Sequence, residues 1–114
     1  MGKRMGDIRR LQEEVHECAV EKGWWRDGAR NFGELIALAH SELSEALEEY
    51  RNGHAMNEIY FLNGKPEGVG IELADCIIRI LDTAEVHGID LEEVIRLKID
   101  YNKTRPDRHG GKLI

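Results

Sequence analysis

Long apolar runs are missing from this sequence. No stretch approaches the roughly 20 residues that span a bilayer, and charged residues recur throughout the 114-residue chain. A membrane-embedded protein is therefore not expected. Proline occurs only twice and aromatics make up 6%, so little interrupts helix formation. Cysteine is limited to Cys18 and Cys76. Neither has a Cys or His nearby at metal-ligand spacing, which argues against a disulfide framework or a zinc site. Both fall at apolar helical positions and are expected to be buried free thiols in a reducing cytosol. After Lys3-Arg4 come Asp7, Arg9 and Arg10 rather than an apolar segment, so no signal peptide is expected and the chain reads as cytoplasmic. An excess of basic charge is missing too: 16 Lys and Arg stand against 22 Asp and Glu, a net charge of −6. Binding to a nucleic-acid polymer needs a basic face. A small anionic substrate remains compatible with this balance, because the cations crowd one region, with Lys98, Lys103, Arg105, Arg108 and Lys112 near the C-terminal end.

What is present is helical periodicity. Ile8, Leu11, Val15, Cys18 and Ala19 recur at helical spacing from Asp7 to about Lys22, and Gly23 stops that helix. Asn31 and Glu34 have capping-box spacing at the start of a second helix, which runs to about Arg51 before Asn52-Gly53. His54 to Gly70 reads as a long loop with a helical turn around Glu58 to Leu62, since Asn63-Gly64, Pro66 and Gly68 argue against regular structure. A third helix is expected from Ile71 to His87. A fourth is capped by Asp90 with Glu93 three residues on, carries Leu91, Val94, Ile95, Leu97 and Tyr101 as apolar positions, and fades near Asn102. No strand pair and no internal repeat are expected. The fold class is all-α, a four-to-five-helix bundle formed by residues 1–114 as one domain.

Acids fall where a buried face would be. In the second helix, Glu42, Glu45 and Glu49 lie in one sector with Leu35, Leu38 and Ala46, whereas Glu48 points away to solvent. In the third, Leu73, Cys76, Ile77, Ile78, Ile80, Leu81 and Ala84 cover most of the circumference and leave a narrow strip of Glu72, Asp75, Arg79 and Asp82. Acids three residues apart share a helix face. If the two strips meet, four carboxylates converge, and enclosed anions cost several kcal/mol each without compensating cations. Oxygen ligands without His or Cys suit Mg²⁺ or Mn²⁺. The plain alternative is that both strips are solvated faces of amphipathic helices.

Glu42-x-x-Glu45, a 26-residue interval, then Glu72-Leu73-Ala74-Asp75 resembles the signature of the MazG-like, all-α nucleoside triphosphate pyrophosphatases. "GIDLEEVIRLKIDYNKTRP" is similar to the way that family continues, with a capped helix carrying a Lys and then an Asn four residues later. The resemblance runs from about Trp24 onward. It implies Mg²⁺-dependent cleavage of a (d)NTP to the (d)NMP and pyrophosphate, with Mn²⁺ as a substitute, in a homodimer or dimer of dimers. Carried over, Glu42, Glu45, Glu72 and Asp75 would be the metal ligands, and Lys98, Asn102 and Arg105 would meet the phosphates. Many members place a further Glu immediately before the first motif acid. Ser41 stands there in this chain, which leaves the number of metals and the general base open.

Glu42 or Glu45 is the candidate general base, because a carboxylate not fully engaged by metal can accept a proton from water. Lys98 and Asn102 are i, i+4 on one helix face. Arg79 shares the acidic strip and is expected to pair with Asp82 or touch substrate. Trp25 is the candidate to stack on a base, with Tyr60 and Phe61 weaker candidates of the same kind. Arg108, His109 and Lys112 form either a phosphate-closing or a merely solvated tail, and Gly110-Gly111 is a weak phosphate-loop signal. Glu13-x-x-His16 has di-iron spacing but lies off the apolar stripe and is expected to face solvent. Two further readings stand beside the pyrophosphatase: a non-catalytic helical adaptor with an acidic interaction face, and, within the same enzyme class, a phosphoribosyl-ATP pyrophosphatase.

Overall fold

The computed structural model describes residues 5–28 and 30–106. Arg108, His109, Gly110, Gly111 and Lys112 lie outside the described residues. Four helices and one hairpin follow in the order α1 (Asp7–Glu21), α2 (Phe32–Arg51), β1 (Tyr60–Leu62), β2 (Lys65–Glu67), α3 (Val69–Val86) and α4 (Leu91–Asn102). The molecule is mostly helical, as the periodicity predicts. Both expected caps form: the Asn31 side chain accepts from the Glu34 amide and the Asp90 side chain from that of Glu93. The N-terminus of α1 has no cap of its own. Instead Glu92 Oε1 accepts from the amides of Ile8 and Arg9, at 3.0 and 3.1 Å, placing a carboxylate at the positive end of the helix dipole.

The expectation of no strands is corrected by the hairpin. Tyr60 pairs with Glu67, Phe61 with Pro66 and Leu62 with Lys65, where a helical turn over Glu58 to Leu62 was expected. Asn63 and Gly64 have φ of 52° and 82°, and positive φ at both central residues is the I′ geometry that matches strand twist. Pro66 is tolerated because a two-stranded ribbon consists of edges. Gly68 (φ 136°) then turns the chain into α3, and a Cβ at this position would collide with the Glu58 carbonyl oxygen.

Helix α3 packs against both α2 and α1, and α4 packs against α1. The expected face of α2 forms, with Glu42 enclosed beside Leu35 and Ala46, but α3 departs from the expectation that aliphatic residues are covered around most of its circumference. The buried apolar residues of α2 are Leu35, Ala39 and Ala46, and those of α3 are Val69, Cys76, Leu81 and Ala84. Leu43, Leu47, Leu73 and Ile77 are instead 43–58% exposed, while Glu42, Glu72 and Asp82 are 5–8% exposed. The acidic strips turn inward and the aliphatic strips outward. Helix α4 buries no residue at all, so its apolar positions are not core in a single chain. Cys76 is buried as expected, but Cys18 is exposed, because its side of α1 borders a cavity. Among the described residues no helix is long and apolar enough to cross a membrane.

Polar contacts do part of the work of the missing core. Gln12 is completely enclosed. Its Nε2 donates to Glu85 Oε1 (2.9 Å) and the Ile89 carbonyl (2.8 Å), and its Oε1 accepts from the Leu91 amide at 3.3 Å. One side chain thereby joins α1 to α3 and to the entry of α4. Replacing Gln12 by Leu strands buried donors and acceptors and should cost about 3 kcal/mol, read as a lower urea midpoint at unchanged m-value.

Candidate metal centre and adjoining cavity

The α2–α3 contact brings together residues 27 or more apart in sequence. One carboxylate oxygen from each of Glu42, Glu45 and Glu72 lies within 4.8 Å of the others. Glu42 and Glu72 are buried and Glu45 is exposed. The cluster contains one cation, since Arg79 Nε donates to Glu42 Oε1 at 2.9 Å. Glu72 is treated differently: among the described residues its buried Oε2 has no hydrogen-bond partner. Its carboxyl is pushed up to about 7, first by burial, then by hydrogen bonding to Glu45 and Glu42, and by the charges of Glu45 and Asp75. Asp75 is half-buried and stands outside the tight trio. Its carboxyl is also raised, by burial and by Glu42, against the opposing pull of Arg79 and Lys65.

A second group shares Glu72. Oxygens of Glu49, Glu67 and Glu72 also lie within 4.8 Å of one another. Glu49 accepts from the Tyr60 hydroxyl at 2.9 and 2.8 Å, which, with burial, pushes that phenol up to about 12. The His54 ring stacks on Tyr60 with centroids 4.6 Å apart. The hairpin is thus fastened to α2 next to the acids. Glu67 was missed from the sequence, because it sits in the segment read as loop. The Asn63-Gly64 dipeptide was the signal that would have placed it on a strand.

Beside the acids opens a cavity of about 710 Å³ between α1, α2 and α3, whose wall includes Val15, Leu35, Leu38 and Ile78 along with Trp24, Glu42, Asp75, Arg79 and Asp82. This volume falls in the range of small-ligand sites. Arg79 does not take the Asp82 partner expected for it. Asp82 is already held by His16 Nδ1 at 2.7 Å and by Trp25 Nε1 at 3.1 and 3.0 Å, leaving Arg79 to Glu42. The same contacts correct the expectation for Glu13-x-x-His16. His16 is three-quarters buried against Asp82, and Glu13 pairs with Arg9 at 3.2 Å. Trp24, not Trp25, lines the cavity, with the guanidinium carbons of Arg30 and Arg79 4.2 and 5.3 Å from its ring centroid. Phe61 is 65% exposed on the hairpin.

Of the sequence-predicted residues, Glu42, Glu45, Glu72, Asp75 and Arg79 come together. Lys98, Asn102 and Arg105 are not among the described residues lining the cavity. They belong to α4 and the turn after it, where Lys98 Nζ and Arg105 Cζ stand 4.8 and 5.9 Å from the Tyr101 ring centroid. Ser41 Oγ donates to the Leu38 carbonyl at 2.6 Å within its own helix. Glu48 is at the surface, paired with Arg51. Comparison with known proteins finds no matching family model, no matching curated protein and no matching solved structure.

The raised Glu72 carboxyl has a thermodynamic signature. Between an ordinary 4.5 and about 7, the folded chain keeps a proton that the unfolded chain has released, so stability falls as pH rises through that window. In chelator, the melting temperature should drop from pH 5 to pH 7.5. Glu72→Gln, which cannot titrate, should remove most of that drop.

Proposed function

We propose that this chain is a Mg²⁺-dependent nucleoside triphosphate pyrophosphohydrolase that cleaves a (d)NTP to the (d)NMP and pyrophosphate. The observation that carries the reading is the buried, unpartnered Glu72 oxygen inside a cluster of three carboxyl groups that has one arginine. Carboxyl groups gathered this way need a cation or a proton, and an oxygen-only donor set suits a hard divalent ion. Glu42, Glu45 and Glu72 would hold it, with Asp75 beside them. A bound Mg²⁺ supplies charge against the phosphates and Lewis acidity toward water. The resemblance of both acid motifs to the all-α pyrophosphatases agrees with the same residues.

The protein side of the chemistry divides among the chain's own groups. Glu42 is held by Arg79, whereas Glu45 is exposed and therefore better placed to take a proton from the attacking water. The water oxygen bonds to the α-phosphorus, the α–β bridging bond breaks, and pyrophosphate leaves. Arg79 stands between the acids and the Trp24 ring, where its planar fork can turn from Glu42 to a phosphate oxygen. The cavity beside Glu42 and Asp75 receives the nucleoside.

The outward aliphatic faces of α2 and α3 support self-association. Leu43, Leu47, Leu73 and Ile77 are 43–58% exposed, and a stripe of this kind is normally covered. A homodimer or dimer of dimers would cover it and would let Lys98 and Asn102 act on substrate held by another copy.

Wild-type protein with Mg²⁺ should release pyrophosphate, not single phosphate, from at least one (d)NTP, and chelator should abolish the release. Glu45→Gln should lower kcat by about 10²–10³ at saturating Mg²⁺. Turnover of no triphosphate, combined with no change in melting temperature on adding Mg²⁺, would instead favour an adaptor with an acidic face. Light scattering should give at least twice the 13.0 kDa chain mass, and Leu47→Glu with Ile77→Glu should reduce it to one chain.

A further inference from the structure

We infer that Asp82 reads the base of the bound nucleotide and selects bases that carry an exocyclic amino group over their keto counterparts. This rests on the pyrophosphohydrolase reading and extends it to the substrate. Asp82 lines the same cavity as Glu42 and Asp75. It lies seven residues, about 10 Å, along α3 from Asp75, which is the span from the α-phosphate of a nucleotide to the far edge of its base. A nucleotide with its phosphates at the acids therefore brings its base edge to Asp82.

The chemistry of that edge follows from how the carboxylate is already used. Its side chain is 8% exposed, yet it sits in the wall of a cavity with apolar neighbours such as Leu35, Leu38 and Ile78. His16 Nδ1 takes Oδ1, and Trp25 Nε1 bridges Oδ1 and Oδ2. Two carboxylate oxygens offer about four acceptor positions, so Oδ2 retains capacity for one more donor. Because Trp25 occupies the fork between the oxygens, a bidentate partner such as the guanine N1–N2 edge is blocked. A single N–H from the amino group of cytosine or adenine fits. With the base held in the same position, the O4 of uracil or thymine and the O6 of hypoxanthine would set one acceptor against another in a poorly solvated site. Their neighbouring ring N–H would reach Oδ2 only if the base shifted, so the keto analogue is disfavoured. His16 and Trp25 act as positioning residues, since both donate to the carboxylate and hold it in place against α1.

The amino/keto pairs CTP and UTP, and ATP and ITP, differ at this group and in the proton on the adjacent ring nitrogen, and they test the inference. kcat/KM should favour the amino member at least tenfold in each pair. Tryptophan fluorescence titrated with CMP, UMP, AMP and IMP should give the same order of Kd without any turnover. Asp82→Asn, which can offer an amide N–H to a keto oxygen, should collapse or reverse both ratios. Trp25→Phe, which keeps the ring and removes the donor, should weaken them less. Equal kcat/KM within both pairs, with pyrophosphate released, would overturn the role of Asp82 and leave the hydrolase reading intact. Discrimination among the monophosphates with no pyrophosphate from any triphosphate would uphold the base site while defeating the hydrolase. If the Asp82→Asn protein does not fold, the wild-type pairs and Trp25→Phe still decide.

Discussion

Repulsion between carboxylates enclosed at the α2–α3 contact is the constraint around which this molecule is arranged. Glu42 and Glu72 are buried where aliphatic residues would ordinarily meet, and like charges in such a place must be neutralised or separated. Arg79 answers for Glu42. Glu72 has no such cation beside it among the described residues and responds by holding its proton to higher pH. The inward acids leave several leucines and isoleucines of the same helices outside, so one helix orientation both gathers the acids and exposes an aliphatic face opposite them.

The same helix carries an acid that is resolved in another way. Asp82, two turns beyond Asp75, is nearly as buried as Glu72, but two N–H donors reach it from α1 and the turn that follows. One end of the α3 strip is left hungry for positive charge, and the other is satisfied by directed hydrogen bonds. The cavity wall takes in Asp75 and Asp82 from this strip, so it carries acids with different surroundings at two points along α3.

Helix positions were readable because each rests on a local signal. Asn31 and Asp90 cap as spacing predicts, and the acid pairs needed only helical periodicity to be placed on shared faces. Three features were not read from the sequence, each for a physical reason. How much of a helix is covered depends on what it packs against, so the exposure of Leu73 and Ile77 on α3 was invisible along the chain. The Asp82 partnership joins residues 57 and 66 apart, and no spacing rule reaches that far. The hairpin could have been found, but Pro66 and Gly68 outweighed Asn63-Gly64, and Glu67 was lost with it.

The long-range cap that Glu92 places on α1 has a consequence for the order of assembly. α2, the hairpin and α3 are consecutive, and their pairing closes only short loops. α1 reaches its partners across separations of 66 to 84 residues, through His16 to Asp82, Gln12 to Glu85 and Ile8 to Glu92. Longer loops cost more entropy to close, and contacts across them form later. Because α1 supplies one wall of the cavity, the acid cluster needs only the α2–α3 pairing, whereas the pocket beside it is completed when α1 docks.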